Sequence, residues 1–361
     1  MKEFLDRDYK ASITEIFEYE NPKKVLLVTG KDSFEKSPAK TFFEEFDSGI
    51  KFVTYSDFSP NPKHDEVSRA VSRLANDVPD LIIGIGGGSV MDFAKLLNVY
   101  LANPSSLELE PDQLENITPL APLVLIPTTS GSGSESTHFA VLYKGSKKYS
   151  LAAKDAGSKY VIVDPVLTHG MSPYLTACTG IDALCQATES VWATGATEQS
   201  LQFASKAIEY ILPSLAKAVN SPTPKSRRAM ALGAFYAGKA INISKTTGPH
   251  AFSYHITSKY GIPHGDAVSV SFPFFILNNF DGLEPQIQET LRKLYSFYTK
   301  EQFFEIFKNI RKKIGLNTTF CSLGINIEPH LTEFLNGVNI ERLSNNPVKI
   351  DMEAMKKHIR E

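Results

Sequence analysis

Cysteine is scarce in this sequence: Cys178, Cys185 and Cys321 are the only three in 361 residues. None stand in a CxxC spacing, and three cannot all pair within one chain, which excludes a disulfide framework and a cysteine-rich zinc module. An excess of either charge is missing as well. Against 38 Lys and Arg stand 40 Asp and Glu, a formal net charge of −2, so there is no global electrostatic footprint for nucleic acid or an anionic membrane. No run approaches the ~18 uninterrupted apolar residues that span a bilayer, and the stretch from Met1 to Asp8 has no apolar signal core. Repeats, heptads and low-complexity tracts are also lacking. Together these absences predict a soluble cytoplasmic protein whose partners are small molecules, with any charged substrate recognised locally.

What is present suits two domains, since 361 residues, 42% of them hydrophobic, can bury two separate cores. Through Pro165, short apolar runs alternate with helical patterns, as in an α/β domain with a largely parallel sheet. Lys24 to Thr29, Lys51 to Tyr55, Asp80 to Gly84, Leu123 to Ile126 and Tyr160 to Val163 read as buried strands. Between them, His64 to Val78 carries Val67, Ala70, Val71, Leu74 and Ala75 at the spacing of one helix face. Beyond Asp164-Pro165 strand-like runs become scarce. Helices are expected over Thr197 to Val219, Lys225 to Ile243, Pro285 to Phe297 and Glu301 to Ile314, with Pro213 kinking or ending the first. The expected organisation is an α/β domain over 1–165 and an all-α domain over 166–361.

The segment Gly84 to Lys95 (GIGGGSVMDFAK) follows a buried strand and opens a helix. Glycines there let backbone approach a pyrophosphate, and free amides with the helix dipole supply the attraction. Ser89 and Asp92 have capping-box-like spacing. A tight turn without a ligand is the alternative, and the spacing is not the GxGxxG of a Rossmann dehydrogenase. A second loop, Pro127 to Glu135 (PTTSGSGSE), follows the next strand. Parallel strands end on one side, so both loops should meet at the carboxyl edge of the sheet, where open α/β folds bind ligands. Capping of a following helix by Ser132 and Glu135 is compatible with that role.

On the helical half, Asp182 stands in the mostly apolar stretch Leu175 to Glu189, and a buried carboxylate needs partners. His250, His255 and His264, three of eight histidines, fall close together downstream. One carboxylate and two imidazoles form an open site suited to zinc or ferrous iron, although an isolated buried Asp or His is more often hydrogen-bonded structure. His64, His169, His330 and His358 are taken as ordinary, and His138 stands out only for following the hydroxyl-rich loop.

These residues resemble a family, the iron-containing or group III alcohol dehydrogenases, related in fold to glycerol dehydrogenase and dehydroquinate synthase. The family's GGGSxxDxAK matches Gly86 to Lys95 position for position, and its PTTxGxGSE matches Pro127 to Glu135. Asp164-Pro165, Thr179 to Leu184 and the paired His250 and His264 carry the likeness through most of the chain. It implies an N-terminal α/β domain and a helical C-terminal domain with the active site in the cleft between them, and a homodimer or larger assembly. It implies Fe2+ or Zn2+ on Asp182, His250 and His264. For the nicotinamide dinucleotide, NADPH or NADH, it implies Gly86, Gly87, Gly88, Ser89, Asp92, Thr128, Thr129, Ser132 and Leu167, with Lys148 near the nicotinamide ribose.

Three departures from the family pattern are informative. Its fourth metal ligand, a histidine one turn after the aspartate, is here Gln186, whose amide oxygen is the weaker donor. A histidine often seen one turn after His250 is Tyr254, which could relay a proton or merely pack. Where NAD-preferring members carry an acid, Gly30 stands before Lys31, so a 2′-phosphate is no longer repelled and Lys31 can pair with it. Gln186 to Trp192, Thr246 to Tyr254 and Val28 to Gly30 resemble a narrower group, the phosphonoacetaldehyde reductases. That likeness implies NAD(P)H-dependent, metal-assisted reduction of phosphonoacetaldehyde, with His138, Lys245 or Lys259 pairing with the phosphonate. A general alcohol or polyol dehydrogenase, a dehydroquinate-synthase-like lyase (whose lysine-rich GGK motif is missing) and a non-catalytic nucleotide-binding relative are the competing readings.

Overall fold

The apolar runs become strands because each is covered on both sides. The computed structural model describes residues 1–46, 49–110, 114, 118–145, 147–152, 154–325, 338 and 340–360. Its chain divides into two units, Met1–Gly170 and Met171–Glu361; His330 lies outside the described residues. In the first unit the strands are β1 (Lys2–Leu5), β2 (Lys24–Thr29), β3 (Lys51–Tyr55), β4 (Leu81–Gly86), β5 (Leu123–Pro127), β6 (Phe139–Lys144), β7 (Lys147–Ala152) and β8 (Tyr160–Val163). Six of them form one sheet in the order β1-β8-β5-β4-β2-β3, parallel throughout. Along β2, Val25 and Leu27 enter one core and Leu26 and Val28 the other. Helices α1 (Tyr9–Glu20), α2 (Lys31–Glu35) and α3 (Pro38–Glu45) contribute to the first core, α4 (His64–Leu74) and α5 (Gly88–Ala102) to the second. A sheet buried on both faces reads as continuous apolar runs rather than alternating ones, which is why these strands stand out in the sequence.

Elements that lack such a run escaped that reading. β1 buries only Phe4, and the antiparallel hairpin of β6 and β7 alternates buried Ala140 and Leu142 with half-buried Val141 and Tyr143. β4 starts and ends later than the expected Asp80 to Gly84, because Gly84 and Gly86 continue the ladder with β5.

The second unit is helical: α6 (Pro173–Trp192), α7 (Glu198–Ile211), α8 (Leu215–Asn220), α9 (Pro224–Ser244), α10 (Gly248–Tyr260), α11 (His264–Asn279), α12 (Pro285–Tyr295) and α13 (Lys300–Lys313), with further helices at Ile340–Ser344 and Met352–Arg360. The helix expected over Thr197 to Val219 ends before Pro213, as its ring requires, and resumes as α8. Among the described residues, no helix is long and apolar enough to cross a membrane. α6 is buried from Thr176 to Trp192 except at Thr179 and packs against α7, α9 and α11. The start of α11 is pinned by the buried Arg311 of α13, whose guanidinium pairs with Asp266 Oδ1 at 2.8 Å and donates to the Asp266 carbonyl at 3.2 Å.

α11 meets α6 at Gly265, where a β-carbon would stand 1.9 Å from the Cys178 carbonyl and 2.8 Å from Asp182 Cβ. The obstacle is mostly backbone, so a side chain there must push the helices apart. Gly265→Ala is expected to lower stability by about 1–3 kcal/mol in thermal or denaturant unfolding, and wild-type stability in that variant would contradict the packing described.

Candidate active site

β4 and β5 end side by side, with Gly86 opposite Pro127, and the Thr128 amide donates to the Gly86 carbonyl at 3.0 Å. The two loops thereby meet at the carboxyl edge of the sheet. At Gly88 a β-carbon would stand 2.7 Å from Ser132 Oγ, and at Gly87 3.5 Å from Thr129, so the absent side chain at Gly88 permits the approach. β2 ends at the same edge, Thr29 beside Ile85, and Gly30 caps α2 with exposed Lys31 following.

The polar residues of α5 hold this cradle together from beneath. The expected capping box is not formed: α5 begins at Gly88, Gly87 caps it without a side-chain bond, and Ser89 Oγ accepts from the Asn61 amide at 3.1 Å. Asp92 faces the neighbouring loop instead, accepting from Ser134 Oγ at 2.6 Å and from the Val141 amide at 3.1 Å. Both its oxygens are thus engaged by protein, so its place is under the loop. Lys95, fully buried, donates to the Ser134 carbonyl (2.7 Å), Ser134 Oγ (2.9 Å) and the Phe139 carbonyl (2.7 Å). Burial lowers its ammonium to about 8, with Asp92 and Glu135 pulling the other way. Glu135 lies in a 3-10 turn, Ser134–Ser136, and no longer helix follows the loop for it to cap.

In the second unit, α6 presents Asp182, Gln186 and Glu189 on one face, because residues three, four and seven apart share a side of a helix. α10 brings His250 in its first turn. Gly261, in the left-handed region at φ 68°, ends α10, and after Pro263 the chain re-enters a helix with His264 as its first residue. One donor atom from each of Asp182, His250 and His264 lies within 4.8 Å of the others. His250 Nε2 is 3.3 Å and His264 Nε2 3.9 Å from Asp182 Oδ1, and the imidazole centroids are 5.3 Å apart. Gln186 Nε2 donates to Asp182 Oδ2 at 3.1 Å.

This donor set fits a divalent metal. His250 Nε2 and Gln186 Oε1 are buried with no hydrogen-bond partner among the described residues, which is costly unless a further group completes them. Burial alone would lower the His250 imidazole, but the carboxylates of Glu189 and Asp182 outweigh it and raise it to about 9, so the pocket favours positive charge. Side-chain exposure is 5% for His250 and 37% for His264, which leaves the cluster open on the His264 side. Tyr254, one turn after His250, stacks on His264 at 6.1 Å and 14°.

Comparison with known proteins agrees with both halves. Residues 5–165 match the family model of the iron-containing alcohol dehydrogenases, and residues 176–361 match that of the family's C-terminal part. The chain belongs to the iron-containing alcohol dehydrogenase family. It is 36% identical to long-chain-alcohol dehydrogenase 1 of Geobacillus thermodenitrificans over 63% of its own length, spanning 58% of that protein. It is 29% identical to the NADPH-dependent butanol dehydrogenase of Clostridium saccharobutylicum, covering 93% of this chain and 90% of the relative. Among solved structures, the sulfoacetaldehyde reductase of Bifidobacterium kashiwanohense in complex with NAD+ superposes with a TM-score of 0.93 at 27% identity, covering 100% of this chain and 96% of that one.

Other expected residues of this family member are distributed as follows. Lys148 is half-buried on β7 opposite Tyr143. Leu167 packs with Ile85 and Ile126 in a core of the first unit. The His138 ring lies tilted against Phe139, centroids 4.3 Å apart at 43°. Lys245 and Lys259 are exposed. His64 Nε2 bonds the Leu107 carbonyl at 2.9 Å, a structural role. Lys245 adopts φ 60° and ψ 175°, a region of backbone space that side chains avoid at a cost of about 1–3 kcal/mol. Asn345 Nδ2 holds that turn, donating to the carbonyls of Ser244 (2.8 Å) and Thr246 (3.0 Å). Asn346 Oδ1 accepts from the Gly248 amide at 3.4 Å, and its amide exchanges bonds of 2.9 and 3.1 Å with Asn279. Asn345, Asn346 and Glu189 went unnoticed in the sequence. For Glu189 the available signal was its helical spacing from Asp182 and Gln186.

The buried Glu135 gives a pH test of the cradle. Burial raises its carboxyl to about 7, partly offset by a backbone hydrogen bond and Lys95. A carboxyl whose folded value lies above its unfolded one favours folding while protonated, and that contribution is lost as pH rises from about 4.5 to about 7. Glu135→Gln should therefore gain melting temperature relative to wild type as pH rises from 5 to 8. An unchanging difference across that window would count against a carboxyl titrating there.

Proposed function

We propose that this chain catalyses reversible, NAD(P)H-dependent reduction of a small aldehyde to its alcohol, with phosphonoacetaldehyde, giving 2-hydroxyethylphosphonate, as the preferred substrate. The observation that carries this reading is the cluster of Asp182, His250 and His264, one carboxylate and two imidazoles within 4.8 Å. Fe2+ or Zn2+ bound to them would supply Lewis acidity toward the substrate oxygen, and the nicotinamide, on the family's loops Gly86 to Lys95 and Pro127 to Glu135, would supply hydride to the carbonyl carbon. The balance is aldehyde, NAD(P)H and a proton giving alcohol and NAD(P)+. Gln186 orients the Asp182 carboxylate. His264 borders the open side, and Tyr254, stacked on it, is suited to deliver the proton that neutralises the developing alkoxide.

An anionic substrate is favoured by the likeness to a sulfoacetaldehyde reductase, since a phosphonate is a tetrahedral oxyanion like a sulfonate. Of the cations considered, Lys245 has the stronger support, because its strained backbone sits just ahead of α10. Lys259 follows His250 by nine residues in the same helix, which places it on the opposite face and about 13 Å along the axis, away from the cluster. His138 remains in the reading. The alternative, a general alcohol dehydrogenase, draws on the likeness to butanol and long-chain-alcohol dehydrogenases.

Steady-state oxidation of NADPH and NADH with phosphonoacetaldehyde, acetaldehyde and butyraldehyde, in the presence of Fe2+ or Zn2+, separates the two. Two charge-assisted hydrogen bonds to the phosphonate are expected to raise kcat/KM by roughly 100-fold over acetaldehyde; equal values would remove the phosphonate. His264→Ala should abolish turnover while dinucleotide binding persists, and undiminished activity after chelation would sink the metal-assisted reading.

Cofactor choice has its own test. At Gly30 a β-carbon meets only the Ser33 hydroxyl closely, at 2.4 Å, and that hydroxyl can rotate. Gly30→Asp should raise KM for NADPH by about 10-fold or more through repulsion of the 2′-phosphate, with little change for NADH. An unaltered NADPH KM would place the 2′-phosphate elsewhere.

A further inference from the structure

Glu189 stands on the same face of α6 as Asp182 and Gln186, and its side chain is wholly inaccessible to solvent. A carboxylate so buried requires its acceptor capacity to be filled. One oxygen, Oε2, accepts from the Thr247 amide at 2.6 Å and from Thr247 Oγ1 at 2.9 Å. The Thr247 hydroxyl is oriented in turn by Trp192 Nε1, which donates to it at 3.0 Å, so its own proton is directed to Glu189. The other oxygen, Oε1, takes a short hydrogen bond from His250 Nδ1. With Nδ1 committed as donor, Nε2 is the nitrogen turned toward Asp182. At His264, Nδ1 is 3.5 Å from the Ser253 hydroxyl.

We propose that Glu189 is the positioning residue of the metal site: it fixes the tautomer and ring plane of His250, increases the donor strength of Nε2, and ties both to the start of α10 through Thr247. This rests on the reading above that Asp182, His250 and His264 hold a divalent cation. Carboxylates that orient metal-bound histidines commonly change metal affinity by about 10–100-fold when replaced. The geometry also fixes the direction of the effect of an amide. In Glu189→Gln, an amide oxygen kept toward the two Thr247 donors turns the NH2 toward His250 Nδ1. The imidazole must then accept at Nδ1 and carry its proton on Nε2, where a cation needs a lone pair. The flipped amide satisfies His250 and sets its NH2 against the two Thr247 donors, so either orientation loses one side.

The test is titration of the full-length chain with Co2+, followed by calorimetry and by the visible ligand-field absorption of the bound ion, with NADPH affinity as an internal control. Glu189→Gln is expected to weaken Co2+ binding by about 10–100-fold, to alter the visible spectrum, and to leave NADPH affinity within twofold of wild type. Thr247→Val, which keeps the carboxylate but removes one donor to it, should weaken Co2+ binding several-fold, and it decides the matter if Glu189→Gln does not fold. Co2+ affinity within twofold of wild type and an unchanged spectrum in the folded variants would overturn the role of Glu189. Wild-type protein that binds no Co2+ would overturn the metal reading itself, and this inference with it.

Discussion

Two buried carboxylates on one helix set the terms for the whole second unit. Asp182 and Glu189 sit in α6 among residues that are otherwise largely aliphatic, and burial without donors would cost several kcal/mol each. The fold answers by bringing helix beginnings to them. α10 arrives with the Thr247 amide and hydroxyl on Glu189, and α11 arrives with His264 near Asp182. Helix N-termini carry unsatisfied N–H groups and a partial positive charge, so these are favourable places for the start of a helix to lie. The close contact at Gly265 and the Arg311–Asp266 pair keep α11 in place.

The first unit solves the complementary problem, that of holding a loop rich in hydroxyls and glycines, with few side chains of its own to pack. Here the buried cation Lys95 gathers carbonyls and hydroxyls of the loop beneath it, and Asp92 takes an amide and a hydroxyl. Lys95 and Asp92 are thus engaged with the loop itself. Gly87, Gly88, Thr128, Thr129 and Ser132 remain partly exposed at that edge.

Much of this was legible beforehand. The parallel sheet was readable because both of its faces are covered, which makes each strand an unbroken apolar run, and the helical half was readable from its 3.6-residue periodicity. The trio of Asp182, His250 and His264 was visible as residue types, and the folded chain brings one donor atom of each within 4.8 Å of the others. The hairpin of β6 and β7 was not, because a partly exposed ladder leaves only weak alternation. Glu189 was hidden in plain view in an apolar helix, since its partners, Thr247 and His250, are far away in sequence. Asn345 and Asn346 carried no pattern at all; asparagine in a loop is ordinarily a turn residue, and here only the folded chain reveals which carbonyls it meets. The Ser89–Asp92 spacing misled because a tertiary partner, Ser134, outcompeted the local cap for the carboxylate.

The bond from the Gly248 amide to Asn346 spans 98 residues, and that from Asn345 to the Thr246 carbonyl spans 99. The turn that launches α10, and with it His250, is therefore finished by chain that leaves the ribosome long after His250 itself. Until that stretch has docked, the first turn of α10 has lost one of its amide acceptors and the high-energy backbone at Lys245 lacks its brace. The last bonds that brace the turn ahead of the histidine cluster are thus drawn from chain 98 and 99 residues downstream of it.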